Sequence, residues 1–234
     1  MEKTTKTIGI IHAVNLTIRA MQPFIERYLP DAEVVHLCDD TIQRDNICAG
    51  VGVIPKHNYF RFAQYAHNLQ ESGVDIILLA CSTFNYAAEL ARPMIDVPIM
   101  QIDRPMMELA VAQGPRVGLL ATLATTVPSS ERLLRIVAAE NKREVEITTV
   151  LRPEAFAAIS KGDSVTHNNI LLEEIDKLSK NVDSIVLAQL SMSALAPLLN
   201  NTAVPVYNSG TTGFERIHQT LYGVPSKPLQ EVTA

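Results

Sequence analysis

The stretch "VDIILLAC" (Val74 to Cys81) returns as "VDSIVLAQ" (Val182 to Gln189), 108 residues further along the chain. "IGIIHAVNLT" (Ile8 to Thr17) returns as "VGLLATLATT" (Val117 to Thr126) at an offset of 109, and "VPIMQ" from Val97 returns as "VPVYN" from Val204 at an offset of 107. Buried parallel strands resemble one another in any α/β protein, so apolar content alone proves little. The common order and nearly constant spacing carry the inference: the chain is built from a duplicated unit, which restricts it to two similar lobes.

The content of each unit follows from periodicity. "TIGIIHAV", "EVVHLC", "VDIILLA" and "VPIMQI" are short, apolar and rich in β-branched residues, as are "RVGLLAT", "VEITTVL", "VDSIVLA" and "VPVYN". Between them run helical patterns. Over 56–72, Tyr59, Phe62, Ala63, Ala66 and Leu69 share one face; over 164–180, Leu171, Ile175 and Leu178 do the same. Strands apolar on both faces and alternating with helices predict parallel sheets covered by helices, an α/β fold of two pseudo-symmetric lobes. The weakest seam is "AQGPR" (Ala112 to Arg116). The expected division is an N-terminal lobe of residues 1–112 and 209–234, its C-terminal helix packed back on it, and a C-terminal lobe of 113–208.

Composition narrows the partners. The chain is 47% apolar and 19% charged, with a formal net charge of −5 and no Lys/Arg cluster. That argues against nucleic acid and anionic membrane as partners. No apolar run is long enough to span a bilayer, and "HAVN" interrupts the N-terminal apolar stretch before a signal-peptide core forms. Three irregularly spaced cysteines read as reduced thiols of a cytoplasmic protein. There is no CxxC, HxxxH or HExxH to hold a metal, and no GxGxxG, GxxxxGK[ST] or GxSxG. Neither metal nor cofactor is expected. A small-molecule partner remains, and homo-oligomerisation is left open.

Ligands of open α/β sheets bind beyond the carboxyl ends of the strands. The polar residues at those ends are Asn15 and Thr17 with Cys81, Ser82 and Thr83 in the first unit. In the second they are Thr122 and Thr125 with Gln189 and Ser191. If the lobes face each other, these loops line one cleft. Cys81 precedes a helical pattern that Ser82 or Thr83 can cap, a position that favours a thiolate and offers free amides to a carboxylate. A small buried apolar cysteine is the competing reading. Cys38 and Cys48 have no counterparts in the second half and read as structural. Asp39 and Asp40 suit helix capping, and His167 a structural place in the first turn of a helix. His12, which matches Ala121 in the repeat, is a proton donor at the cleft or a packed histidine. "NSGTTG" (Asn208 to Gly213) fits a phosphate-binding nest or a tight turn into the last helix equally well.

Taken together, "IGII", "LCDDTI", "GVDIILLACSTF", "RVGLLATLATT", "VDSIVLAQLSM" and "VPVYNSG" resemble, in order and over nearly the whole chain, the aspartate/glutamate/hydantoin racemase superfamily. The resemblance implies two α/β lobes with the site between them. It also implies cofactor-independent proton transfer at the carbon α to a carboxylate, by two cysteines on opposite faces. The first family cysteine falls on Cys81, with Ser82 and Thr83 in the anion-binding turn. Thr122 and Thr125 fall in the second substrate loop, and Asn15 and Ser191 near the cleft. The second cysteine falls on Gln189, whose amide neither gives nor takes a proton near neutral pH. Three readings follow: an isomerase whose far face is served by another group such as His12 or by water, a one-cysteine decarboxylase, and a non-catalytic binder of small carboxylates.

Overall fold

In the computed structural model, which describes residues 5–225, the duplication is written into the hydrogen-bond ladders. The first sheet contains β1 (Thr7–His12), β2 (Glu33–Cys38), β3 (Ile76–Leu79) and β4 (Ile99–Gln101) in the order β2-β1-β3-β4, all parallel. The second contains β5 (Arg116–Ala121), β6 (Glu146–Leu151), β7 (Ser184–Leu187) and β8 (Val206–Asn208) in the order β6-β5-β7-β8. The register repeats as well. Ile8 lies opposite Ile76 in one sheet and Val117 opposite Ser184 in the other, the same offsets that relate the sequences.

Residues of β3 and β7 are buried without exception, as central strands covered on both faces must be. The helices are α1 (Leu16–Tyr28), α2 (Asp40–Ala49), α3 (Lys56–Glu71), α4 (Tyr86–Ala91), α5 (Arg104–Gln113), α6 (Val127–Glu140), α7 (Pro153–Ser160), α8 (Ser164–Ser179) and α9 (Ser209–Tyr222). In α3, Phe62, Ala66 and Leu69 point into the core while Tyr59 and Ala63 pack at its edge; α8 buries Leu171, Ile175 and Leu178. A Cβ on Gly9 of β1 would stand 2.9 Å from the end of the Leu69 side chain, so an alanine there would require that side chain to shift.

The last helix of each unit crosses to the other sheet. From α9, Phe214 and Ile217 join Ile8, Ile10, Met21 and Ile25 under the first sheet. From α5, Met106, Met107, Ala110 and Val111 join Val117, Leu119 and Val186 under the second. The expected division keeps α5 with the first lobe; its buried face packs with the second instead. Asn208 caps α9, its Oδ1 accepting from the Thr211 N–H at 2.8 Å, so "NSGTTG" serves the turn into a helix. Asp39 caps α2 through the Thr41 N–H. His167 is buried in α8, its Nδ1 3.0 Å from Asn168 Oδ1. Among the described residues no helix is long and apolar enough to cross a membrane, and no group of three or more His, Cys, Asp or Glu is placed to hold a metal ion.

Candidate active site

The carboxyl ends of both sheets converge on one cavity of about 340 Å3, at the small end of the range for ligand sites. Cys81 follows β3 and Gln189 follows β7, each in extended backbone and each leading into a 3-10 turn (Ser82–Phe84 and Leu190–Leu198). Much of the remaining lining comes in pairs of positions related by the repeat. Val14 and Leu123, Thr17 and Thr126, Ser82 and Leu190, and Thr83 and Ser191 all face the cavity. So do Gln43 of α2 and Phe156 of α7, both the fourth residue of the helix after the edge strand. The cavity inherits the two-fold character of the chain, with chemistry that differs between its halves.

Of the three cysteines only Cys81 lines this cavity, half-buried; Cys38 and Cys48 are exposed elsewhere. Its thiol is pushed up to about 12, first by burial and then by the carboxylate of Asp103, against the opposing pull of the Phe84 and Thr83 N–H groups. This corrects the expectation of an activated thiolate. The turn after Cys81 is a three-residue 3-10 helix, and its few amides are outweighed by desolvation. At rest Cys81 is a thiol, a proton donor. Asp103 is itself fully buried beside Asn85, whose Nδ2 donates to its Oδ2 at 2.9 Å. Burial pushes its carboxyl up to about 6, with the hydrogen bonds from Asn85 and Ser82 holding it back.

Gln189 is 8% exposed and its orientation is fixed. The Thr122 N–H, which can only donate, lies 3.0 Å from Oε1, and the Thr122 hydroxyl donates to the same oxygen at 3.3 Å. The other end, Nε2, therefore carries both amide hydrogens, and it has no partner among the described residues. A buried donor left unpaired costs free energy unless a ligand uses it. The amide of Gln189 can donate hydrogen bonds and carries no titratable proton near neutral pH.

The remaining expected residues divide. Ser82, Thr83 and Ser191 line the cavity. Thr122 lies behind Gln189, 3% exposed, and holds that side chain without lining the cavity. Thr125 faces a smaller adjoining space of about 120 Å3, which shares Thr83 with the main cavity. Asn15 stands exposed ahead of α1, with no capping bond from its side chain, outside the lining. His12 is fully buried and reaches the cavity only indirectly. Its Nδ1 is 2.7 Å from the hydroxyl of Thr17, which donates to Val14 O, so Nδ1 carries the hydrogen. Its Nε2 then accepts from Nδ1 of the exposed His36 at 2.9 Å. Burial, followed by the charge of His36, pushes His12 down to about 4, so it is neutral near pH 7. Sequence reasoning overlooked Thr126 as a lining residue. The signal was present, because Thr126 is the repeat partner of Thr17, and the two hydroxyls of Thr83 and Thr126 meet across the cavity at 3.4 Å.

Thr83→Val and Thr122→Val therefore have different expected effects on carboxylate binding. The first deletes a cavity hydroxyl and should cost about 1 kcal/mol in affinity. The second leaves the backbone donor to Gln189 in place and should cost less than about half that. Calorimetric titration of both variants checks the order.

Two parallel α/β lobes thus meet over a cleft lined by one thiol. Residues 56–217 match the family model for Asp/Glu/hydantoin racemase. The chain belongs to that family, and it is an enzyme of the racemase class. It is 26% identical over 192 residues to a glutamate racemase of Persephonella marina, covering 78% of this chain and 68% of the relative. Solved structures of the same fold include an aspartate racemase homologue from Pyrococcus horikoshii OT3 (TM-score 0.67, 16% identity, 92% of this chain and 99% of that one). Unliganded arylmalonate decarboxylase is another, with TM-score 0.60, 17% identity and coverage of 96% and 97%.

Proposed function

We propose that the chain catalyses cofactor-independent proton transfer at the carbon α to the carboxylate of a small acid, with Cys81 as the proton carrier. The observation that carries this reading is the pairing of Cys81 and Gln189 at equivalent strand ends facing one cavity. The substrate carboxylate accepts from the free Nε2 of Gln189, with the hydroxyls of Ser82, Thr83 and Ser191 close by. As the α-carbon gains or loses a proton, its carboxylate takes on enolate charge, and the same donors stabilise that charge most when it is largest. Isomerisation needs a second carrier. Among the described residues Cys81 is the only titratable side chain in the lining, so that carrier is water or the Thr17 hydroxyl backed by His12.

A second reading is favoured by the protonated state of Cys81. An enolate formed by loss of CO2 needs only an acid, and a thiol held near 12 is an acid at neutral pH. A thermal-shift panel of chiral amino, hydroxy and malonic acids, followed by incubation of each hit in D2O, separates the readings. Deuterium at the α-carbon without carbon loss is the expected result. Release of CO2 with one enantiomer of product supports the decarboxylase instead, and stabilisation with neither reaction makes the chain a carboxylate binder.

A further inference from the structure

The repeat makes the cavity's departures from symmetry legible. Three of its paired positions have diverged in chemistry: Cys81 against Gln189, Ser82 against Leu190, and Gln43 against Phe156. In two of these the second half has become apolar, and Leu190 and Phe156 join Leu123 on that side of the cavity. Val14, Leu16 and Ile102 extend the apolar lining from the first half. Among the described residues no Asp, Glu, Lys, Arg or His lines the space. A substrate ammonium or second carboxylate would therefore leave water for a site without a counter-ion, which costs several kcal/mol per charge.

The hydroxyls of Thr17, Ser82, Thr83, Thr126 and Ser191 share the lining with these apolar side chains, and two amides at its wall have unmet hydrogen-bonding capacity. Nε2 of Gln189 offers two donors, enough for one carboxylate. Gln43 Oε1 is buried without a partner, and no hydrogen bond fixes which way its amide faces. It offers one neutral hydrogen bond, suited to a hydroxyl or amide and too weak to replace a counter-ion.

We propose that this cavity selects monocarboxylic acids with an apolar α-substituent, seating the carboxylate on Gln189 and the substituent against Leu123, Phe156 and Leu190, and rejects dicarboxylic amino acids. The proposal deepens the reading of the site as an α-carbon proton-transfer centre and rests on it for where the carboxylate lies. Apolar contact over Phe156 and the two leucines supplies the affinity, and the amide supplies the orientation.

Isothermal titration of the native chain with phenylacetate, acetate, L-glutamate and D-glutamate tests it. Phenylacetate should bind at least about tenfold more tightly than each of the other three. Phe156, at 39% exposed, forms part of the cavity wall without being core. Phe156→Ala should weaken phenylacetate about fivefold or more and leave acetate within about twofold. Either glutamate enantiomer binding as tightly as phenylacetate overturns the proposal, and so does the absence of phenylacetate binding. An equal loss of acetate and phenylacetate in Phe156→Ala also counts against the apolar seat. Exchange of the α-protons of phenylacetate is no net reaction, so the titration reads binding alone. A chain that binds phenylacetate but exchanges no α-proton would sink the proton-transfer reading and leave the selectivity standing.

Discussion

Cys81→Ala is expected to reduce α-proton exchange on any bound acid by about 10²- to 10⁴-fold, the usual contribution of a positioned acid or base. Among the described residues no other titratable side chain lines the cavity, and Asp103, the nearest buried acid, stands behind Ser82 outside the lining. The fold should survive. The substitution removes one sulfur from the wall of an existing cavity, while the strand that carries it is held by Ile76 to Leu79 between β1 and β4. Circular dichroism and an unfolding midpoint close to native establish that the loss is chemical. Cys81→Ser sharpens the test, since a hydroxyl keeps the hydrogen bond but is a far weaker acid than a thiol. A serine variant with near-native exchange would show that Cys81 binds and does not transfer protons.

The sequence was informative to different degrees at different levels. The two-lobe plan, and the likeness of the two sheets to each other, follow from the repeat, because central parallel strands are apolar on both faces and keep that pattern through duplication. The strand order itself comes from the structure. The crossing of α5 and α9 was half visible. Placing α9 on the first lobe needs only a C-terminal helix with an apolar face, whereas α5 follows the first unit directly and its exchange depends on which sheet has an uncovered face. At the site, strand-end position pointed to Cys81, Ser82, Thr83, Gln189 and Ser191, and these line one cavity. It could not show that Thr122 points at Gln189 or that Thr125 turns to the adjoining space, because a tight loop can send neighbouring side chains in opposite directions. The state of Cys81 was beyond reach from sequence for another reason. It depends on Asp103, twenty-two residues away, and on burial that only the assembled lobes create.

Two buried titratable groups should oppose each other in the pH dependence of stability. His12 is lowered from 6.5 to about 4. Between those values the unfolded chain binds the proton and the native chain does not. The stability His12 contributes is present above about pH 6.5 and is lost as pH falls toward 4. Asp103 is raised from 3.8 to about 6. There the native chain holds the proton that the unfolded chain releases, so its contribution is present below about pH 3.8 and is lost as pH rises through 6. Each shift corresponds to about 3 kcal/mol, with opposite slopes over nearly the same window. In the native chain the two largely cancel. Asp103→Asn removes one arm and should leave a variant that, relative to native, loses about 3 kcal/mol between pH 6.5 and pH 4. His12→Asn keeps a donor for the Thr17 hydroxyl and should show the reverse slope, whatever its absolute stability. Urea unfolding at pH 4, 5, 6.5 and 8 gives the native-minus-variant differences, in which the surface carboxylates cancel. His36 stays on its strand in both variants, its own lowering set by burial. Flat difference curves for both variants would mean that neither group is held in the protonation state its burial dictates. A flat curve for Asp103→Asn alone would remove the nearby charge as a reason for the protonated thiol at Cys81.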